Sequence, residues 1–393
     1  MDTQTTLLVT LTGRDRPGVT SRLFTALTGQ DLTVLDIEQV VIRGRLVLGA
    51  LLGCGGDPDL TAIHRAIRAV AADLGLDAEI TMGSGEQARR RGRLHVTVLG
   101  SPLTPAAVAA IAGRIAASGA NIDRIDRLAH RPVTCIELDV SGADPAALRV
   151  ALAREATEQG VDVAVQRSGL HRRAMRLVVM DVDSTLIADE VIDLLAARAG
   201  CADEVAKVTA AAMRGDLDFA ASLRERVALL AGLSAGVLDE VRGSLRLTAG
   251  ARTLIGTLGG LGYKFGIVSG GFTEVIAPLA ASLGIGYVAA NSLEIAAGKL
   301  TGRLSGPVID RAAKADALRR FAADAGVPLS QTVAVGDGAN DLDMIAAAGL
   351  GIAFNAKPVV RDAADTSLSV PYLDAILYLL GISSDEVADA AER

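Results

Sequence analysis

The chain of 393 residues carries 39 Lys and Arg against 46 Asp and Glu, a formal net charge of −7, with half its residues hydrophobic and only 3% aromatic. That length exceeds what one hydrophobic core serves and calls for roughly two to four domains, while the acidic balance argues against a nucleic-acid partner. No run approaches the ~20 uninterrupted apolar residues of a membrane-spanning helix, the stretch from Val40 to Leu52 being broken by Arg43 and Arg45.

The first residues, Met-Asp-Thr-Gln-Thr-Thr, lack the basic region, apolar stretch and cleavage site of a secretory signal. Cys54, Cys135 and Cys201 are scattered, so neither a disulfide framework nor a zinc cluster is indicated. A cytoplasmic protein is expected.

Residues 1–168 contain one small unit twice. Leu7-Leu-Val-Thr-Leu-Thr-Gly13 aligns with Leu94-His-Val-Thr-Val-Leu-Gly100, Asp31-Leu-Thr-Val-Leu-Asp-Ile-Glu with Gly119-Ala-Asn-Ile-Asp-Arg-Ile-Asp, and Gly56-Asp-Pro-Asp-Leu with Ala143-Asp-Pro-Ala-Ala. Each copy reads strand, loop, helix, alternating strand, second strand, helix near an Asp-Pro, short strand. That order is the ferredoxin-like βαββαβ unit. With Thr12-Gly-Arg-Asp-Arg-Pro-Gly18 between first strand and first helix, it resembles the ACT domain, an amino-acid-sensing module. The resemblance implies an amino acid, serine being the obvious candidate, bound across an interface between two modules near Asp15 and Gly18, and a homodimer. Independently, Gly18 permits close backbone approach and a helix start attracts a carboxylate. The second copy departs from the pattern, with Ser101-Pro-Leu-Thr-Pro105 in that position. Both copies serving dimerisation alone is the other reading.

The boundaries expected are 1–82 and 94–168 for the two ACT-like modules. Between them lies a Gly-rich, basic linker at 83–93, without the interleaved aromatics of a nucleic-acid surface. Arg167 to Arg173 marks the next boundary.

From Leu177 an apolar run ends on Asp181 and Asp183. The run suits a central strand of a parallel sheet, whose C-terminal end is where such sheets bind ligands. Two carboxylates brought together there repel unless a cation or a shared proton offsets the charge. Lys264 to Phe272 brings Ser269 and Gly270 to a strand end, Thr332 to Asp341 brings Asp337, Asn340 and Asp341, and Leu350 to Asn355 is one more short strand. Helical segments between them, one opening near Lys314, complete βα repeats of a doubly wound sheet. His64, His95, His130 and His171 all precede residue 174. A Ser-His-Asp triad, a histidine phosphate carrier and a two-histidine metal site are thereby excluded from the last domain.

Asp181-x-Asp-Ser-Thr, Ser269, Lys314 and Gly336-Asp-Gly-Ala-Asn-Asp341, in that order at strand ends, resemble the haloacid dehalogenase superfamily of phosphotransferases. The resemblance implies a Rossmann-like core over 169–187 and 249–393, Asp181 as nucleophile and Asp183 as general acid and base. It implies Mg²⁺ held by Asp181, Asp337 and the Asp183 backbone carbonyl with Asp341 behind them, and Lys314, Ser269 and the Gly270 amide on the phosphoryl oxygens. Apolar residues at helical spacing over 188–248 predict a helical cap. Glu190, with Phe219-Ala-Ala-Ser-Leu-Arg-Glu-Arg-Val227 in that cap, resembles the phosphoserine phosphatase family. This implies Glu190 on the substrate ammonium, Arg226 on its carboxylate, Met213 and Phe219 as lining, and Asn340 nearby. The product would be L-serine, in the last step of serine biosynthesis. The alternatives are a broader phosphomonoesterase or a phosphotransferase using the same aspartyl phosphate, and an amino-acid-responsive binding module with a passive phosphatase scaffold.

Overall fold

In a computed structural model the protein is described over residues 5–56, 58–84, 93–169, 174–213 and 216–391. Most of the predicted 83–93 linker, and residues 170–173 of the second boundary, lie outside this set. The chain divides into two compact units, Met1–Arg89 and Arg90–Arg393.

The first unit comprises β1 (Thr5–Arg14), α1 (Val19–Ala26), β2 (Leu32–Ile42), β3 (Arg45–Cys54), α2 (Leu60–Leu74) and β4 (Leu76–Ser84). Its sheet is ordered β2-β3-β1-β4, with antiparallel pairing throughout. The period of two in β1 sends Leu7, Val9 and Leu11 into the core. Ile63, Ile67, Ala71 and Leu74 form the facing stripe of α2. Asp59 caps that helix by accepting from the Ala62 amide, and Gly75 ends it in the left-handed region.

The second unit opens with β5 (Leu94–Gly100), α3 (Pro105–Ala117), β6 (Asn121–Ala129), β7 (Thr134–Ser141), α4 (Pro145–Gln159) and β8 (Asp162–Arg167). The sheet order β6-β7-β5-β8 repeats that of the first unit strand for strand, so the internal similarity is a structural duplication. Val96 and Val98 face the helices with Ile111, Ile115, Leu148 and Leu152. The other face carries Leu99, Cys135 and Ala164 into the large core of the domain that follows. Hydrogen bonds fasten that contact: the Ser369 amide donates to Asp162 (2.6 Å), Gln166 to the Leu379 carbonyl (2.9 Å) and Arg149 to Asp365 (3.1 Å).

There follow β9 (Leu177–Met180), α5 (Val191–Ala199), α6 (Ala202–Met213), α7 (Phe219–Ala228), α8 (Val237–Ser244), α9 (Ala251–Gly260), β10 (Lys264–Phe272), α10 (Thr273–Ser282), β11 (Tyr287–Ala296) and β12 (Lys299–Ser305). The chain ends through α11 (Arg311–Ala325), β13 (Thr332–Gly336), α12 (Leu342–Ala347), β14 (Leu350–Phe354), α13 (Pro358–Ala363), β15 (Thr366–Leu368), α14 (Ile376–Leu379) and α15 (Ser384–Ala391). The sheet order is β12-β11-β10-β9-β13-β14-β15. Central β9 pairs in parallel with β10 on one side and β13 on the other, so the connections diverge there and open a crevice at its C-terminal end.

All four residues of β9 are fully buried. Each such side chain contributes about 1.5–3 kcal/mol of burial free energy, which fixes the strand on which Asp181 follows. Helices α5–α8 lie between β9 and α9 and are held by Leu195, Val205, Leu223, Val227 and Val241. Among the described residues no helix is long and apolar enough to cross a membrane.

Candidate active site

Asp181 leaves the end of β9 with its amide bonded to the Val335 carbonyl of β13 (2.9 Å), which places it between the central strands. The chain then turns back through residues 182–186, and Ser184 takes a positive φ of 56°. This turn brings Asp183 beneath α5, where its Oδ1 accepts from the Val191 amide (2.8 Å). Its Oδ2 accepts from Ser269 Oγ of β10 (2.9 Å). Ser269 Oγ also accepts from the Gly271 amide (2.7 Å), so one hydroxyl ties β10 to the second aspartate. A side chain would be tight here: a Cβ at Gly271 would lie 3.1 Å from Asp183 Oδ2, and one at Gly270 would lie 3.0 Å from Phe219 Cζ.

Lys314 enters from the first turn of α11, completely buried. Its Nζ lies 2.8 Å from Asp181 Oδ1 and 2.6 Å from Asp341 Oδ1. A buried ammonium is disfavoured by desolvation, yet the two carboxylates outweigh that cost and raise its pKa. Asp341, also fully buried, accepts with Oδ2 from the amides of Asp337 (3.1 Å) and Gly338 (2.9 Å), shaping the loop that carries Asp337. Thr185 Oγ1 donates to Asp337 (3.1 Å).

One carboxylate oxygen each from Asp181, Asp337 and Asp341 lies within 4.8 Å of the others. Burial, then the nearby Asp341 carboxylate, pushes Asp181 well above the usual carboxylate range and Asp337 up to about 6. Burial likewise raises Asp183. One lysine among three clustered aspartates leaves the site short of positive charge. An all-oxygen donor set of this kind fits a hard divalent cation.

Elements of the helical insertion bring Glu190, Phe219 and Arg226 to the same end of the sheet. Ser184 Oγ donates to Glu190 Oε1 (2.8 Å). Glu190 is exposed overall, yet desolvation of its carboxyl, followed by the Asp183 charge, pushes it up to about 7. Arg226, half-buried on α7, donates from Nε to the Ser222 carbonyl (3.3 Å). Burial lowers its pKa, while the charges of Asp193, Glu190 and Asp183 act in the opposite sense. Phe219 begins α7 against Gly270, and Asn340 lies beside Gly338 in the β13 loop. Met213 ends α6, its side chain outside the described residues. Asp15 and Gly18 belong to the first unit. The Asp15 amide donates to the Gly44 carbonyl (2.8 Å), and Gly18 caps α1 with φ 89°.

Two contributors escape sequence reasoning. Asn291 of β11 donates to the Gly270 carbonyl (2.8 Å) and accepts from the Ile309 amide (2.8 Å), bracing the β10 loop; nothing in its local sequence signals this. Asp189 receives the backbone amide and the guanidinium of Arg246, closing the base of the helical insertion. A carboxylate just before Glu190 was its only trace.

A doubly wound sheet with paired aspartates at its switch point is the architecture of the haloacid dehalogenase-like hydrolases, whose family model matches residues 178–346; ACT domain models match residues 5–81 and 94–166. Phosphoserine phosphatase of Streptomyces coelicolor is 61% identical over 391 residues, 98% of this chain and 94% of that protein. Phosphoserine phosphatase SerB2 of Mycobacterium tuberculosis is 52% identical over 398 residues, 100% and 97% of the two chains. A solved structure described as a phospho-aspartyl intermediate analogue of phosphoserine phosphatase shares 42% identity, with a TM-score of 0.50, over 52% of this chain and 98% of its own. The chain belongs to the phosphoserine phosphatase family.

Proposed function

We propose that the protein hydrolyses O-phospho-L-serine to L-serine and phosphate, through an aspartyl phosphate on Asp181. The observation that carries this reading is the convergence of Asp181, Asp183, Ser269, Lys314 and Asp337 at one sheet edge, with Glu190 and Arg226 reaching the same place. The first group suits phosphoryl transfer; the second suits an ammonium and a carboxylate on one substrate.

Asp181 attacks phosphorus as the ester P–O bond breaks, dividing one difficult displacement into two. Asp183, held by Ser269 and the Val191 amide and raised by burial, gives its proton to the departing serine oxygen and then takes one from the water that attacks the aspartyl phosphate. Lys314 holds Asp181 in place and, with Ser269 and the Gly270 amide, faces the phosphoryl oxygens on which transition-state charge spreads. Mg²⁺ is the cation we propose, held by Asp181, Asp337 and the Asp183 carbonyl with Asp341 behind; when bound it supplies charge neutralisation at the phosphoryl group. Glu190 receives the ammonium and Arg226 the carboxylate, with Phe219, Met213 and Asn340 lining the space.

For the ACT region we propose that the Asp15–Gly18 turn binds an amino acid, serine first among candidates, supported by the left-handed Gly18 at a helix start. We propose a homodimer as well. Edge strand β2 exposes Ile37, Val40 and Ile42, which supports a pairing role for that unit. The scattered spacing of Cys54, Cys135 and Cys201 agrees with the cytoplasmic setting we propose, and release of L-serine gives the reaction its place in serine biosynthesis.

Comparing kcat/KM for phosphoserine, phosphothreonine, phosphoglycolate and a nucleoside monophosphate, each with and without L-serine, tests the reading. Equal values across the panel would leave only a general phosphomonoesterase.

A further inference from the structure

We infer that the second ACT-like sheet carries a binding site for a borderline divalent cation of the Zn²⁺, Co²⁺ or Mn²⁺ class, built from His95, Glu137 and Asp139 and separate from the aspartate cluster of the catalytic sheet. His95 of β5 lies directly opposite Asp139 of β7 in the antiparallel register, and Thr97 lies opposite Glu137. Since opposed residues share a face and successive side chains alternate, all four project from the face that continues through Leu99 and Cys135 into the catalytic core. His95 Nδ1 is 2.7 Å from Asp139 Oδ1 and 3.5 Å from Glu137 Oε1, and one donor atom from each of the three residues lies within 4.8 Å of the others. All three are only partly exposed.

A second observation points to an occupant. Thr97 is fully buried, and its Oγ1 has no hydrogen-bond partner. A buried hydroxyl left without a partner costs about 1–3 kcal/mol, and this one stands in the cross-strand pair with Glu137, on the cluster's own face. A cation held by the imidazole and two carboxylates keeps one or more positions for water, and such a water supplies the acceptor that Thr97 lacks. One nitrogen and two carboxylate donors favour Zn²⁺, Co²⁺ or Mn²⁺ over Mg²⁺, which takes oxygen donors. The ion would bridge β5 to β7 at the rim of the contact with the catalytic core, next to Gln166, which bonds the Leu379 carbonyl.

The test is a Co²⁺ titration of the full-length protein in excess Mg²⁺, followed by calorimetry and by the visible absorption of the bound ion. His95→Ala, Glu137→Gln and Asp139→Asn are compared with Asp337→Asn, and thermal melts check that each variant is folded. We expect one Co²⁺ equivalent with an imidazole-type spectrum in the wild type and in Asp337→Asn. Affinity should fall by at least about tenfold in each of the other three; the two isosteric amide variants keep the test informative should His95→Ala fail to fold. Indistinguishable Co²⁺ binding in the wild type and these variants, or no Co²⁺ bound in excess Mg²⁺, would overturn the site and leave His95 as a hydrogen-bond partner of Asp139.

Discussion

Lys314 Nζ sits 2.8 Å from Asp181 Oδ1 although the lysine is completely buried, so the proposed nucleophile and Lys314 form one buried ion pair. Asp341 closes the other side of the ammonium at 2.6 Å. Breaking a buried pair by deleting one partner typically costs about 3–5 kcal/mol, because the remaining charge is stranded. Lys314→Met is therefore expected to lose stability of that order as well as activity. Urea unfolding in the presence and absence of Mg²⁺ measures it; a loss below about 1 kcal/mol would show that Asp181 and Asp341 do not depend on this ammonium.

Asp181→Asn keeps shape and removes the attacking carboxylate. Turnover should fall by at least about 10³-fold, as for other nucleophile deletions, with an unchanged circular dichroism spectrum. Phosphate release at a rate near that of the unsubstituted protein would reject the aspartyl-phosphate route.

Arg226→Lys replaces a planar fork by a point charge. Loss of charge-assisted hydrogen bonds of about 1.5–3 kcal/mol predicts a fall in kcat/KM for phosphoserine of roughly 10- to 150-fold. A phosphate ester without the carboxylate should be much less affected. Equal losses on both esters would assign Arg226 to the architecture of α7 rather than to the substrate.

Desolvation, followed by the Asp183 charge, pushes the Glu190 carboxyl from its ordinary 4.5 up to about 7. Only its ionised form attracts an ammonium, so log(kcat/KM) for phosphoserine should rise with pH through about 7. Glu190→Gln should flatten that limb. The linked stability runs the other way. With the folded-state pKa raised, the folded protein binds more protons than the unfolded chain between about 4.5 and 7. Its contribution to stability is complete below 4.5 and is lost as pH rises through 7. Thermal melts of wild type and Glu190→Gln across that window would reveal both the slope and its removal.

Cation removal should act on the same electrostatics. Asp181 and Asp337 are both raised because carboxylates crowd a desolvated space. Chelation is expected to abolish phosphatase activity, and Mg²⁺ added back should raise the melting temperature of the wild type more than that of Asp337→Asn. The same increment in both would remove Asp337 from the cation site.

The order of elements and the duplication were legible in the sequence, because alternation in Leu7 to Leu11 and again in Leu94 to Gly100 reports which face of a strand is buried. The apolar run before Asp181 likewise specified a buried strand ending in carboxylates, and the histidine-free stretch after residue 174 restricted the chemistry to oxygen donors and a hard cation. Only the tertiary structure decided what surrounds those carboxylates. Lys314 lies far along the chain from Asp181, and Asn291 braces Gly270 from another strand; such contacts follow from the order in which strands pair, β10 and β13 flanking β9, which no local pattern encodes. The face that joins His95 to Glu137 and Asp139 was equally invisible, because cross-strand register depends on how two segments some forty residues apart meet. Sequence fixes side-chain type and periodicity by local chemistry, whereas charge pairing and burial arise when distant segments share one desolvated space.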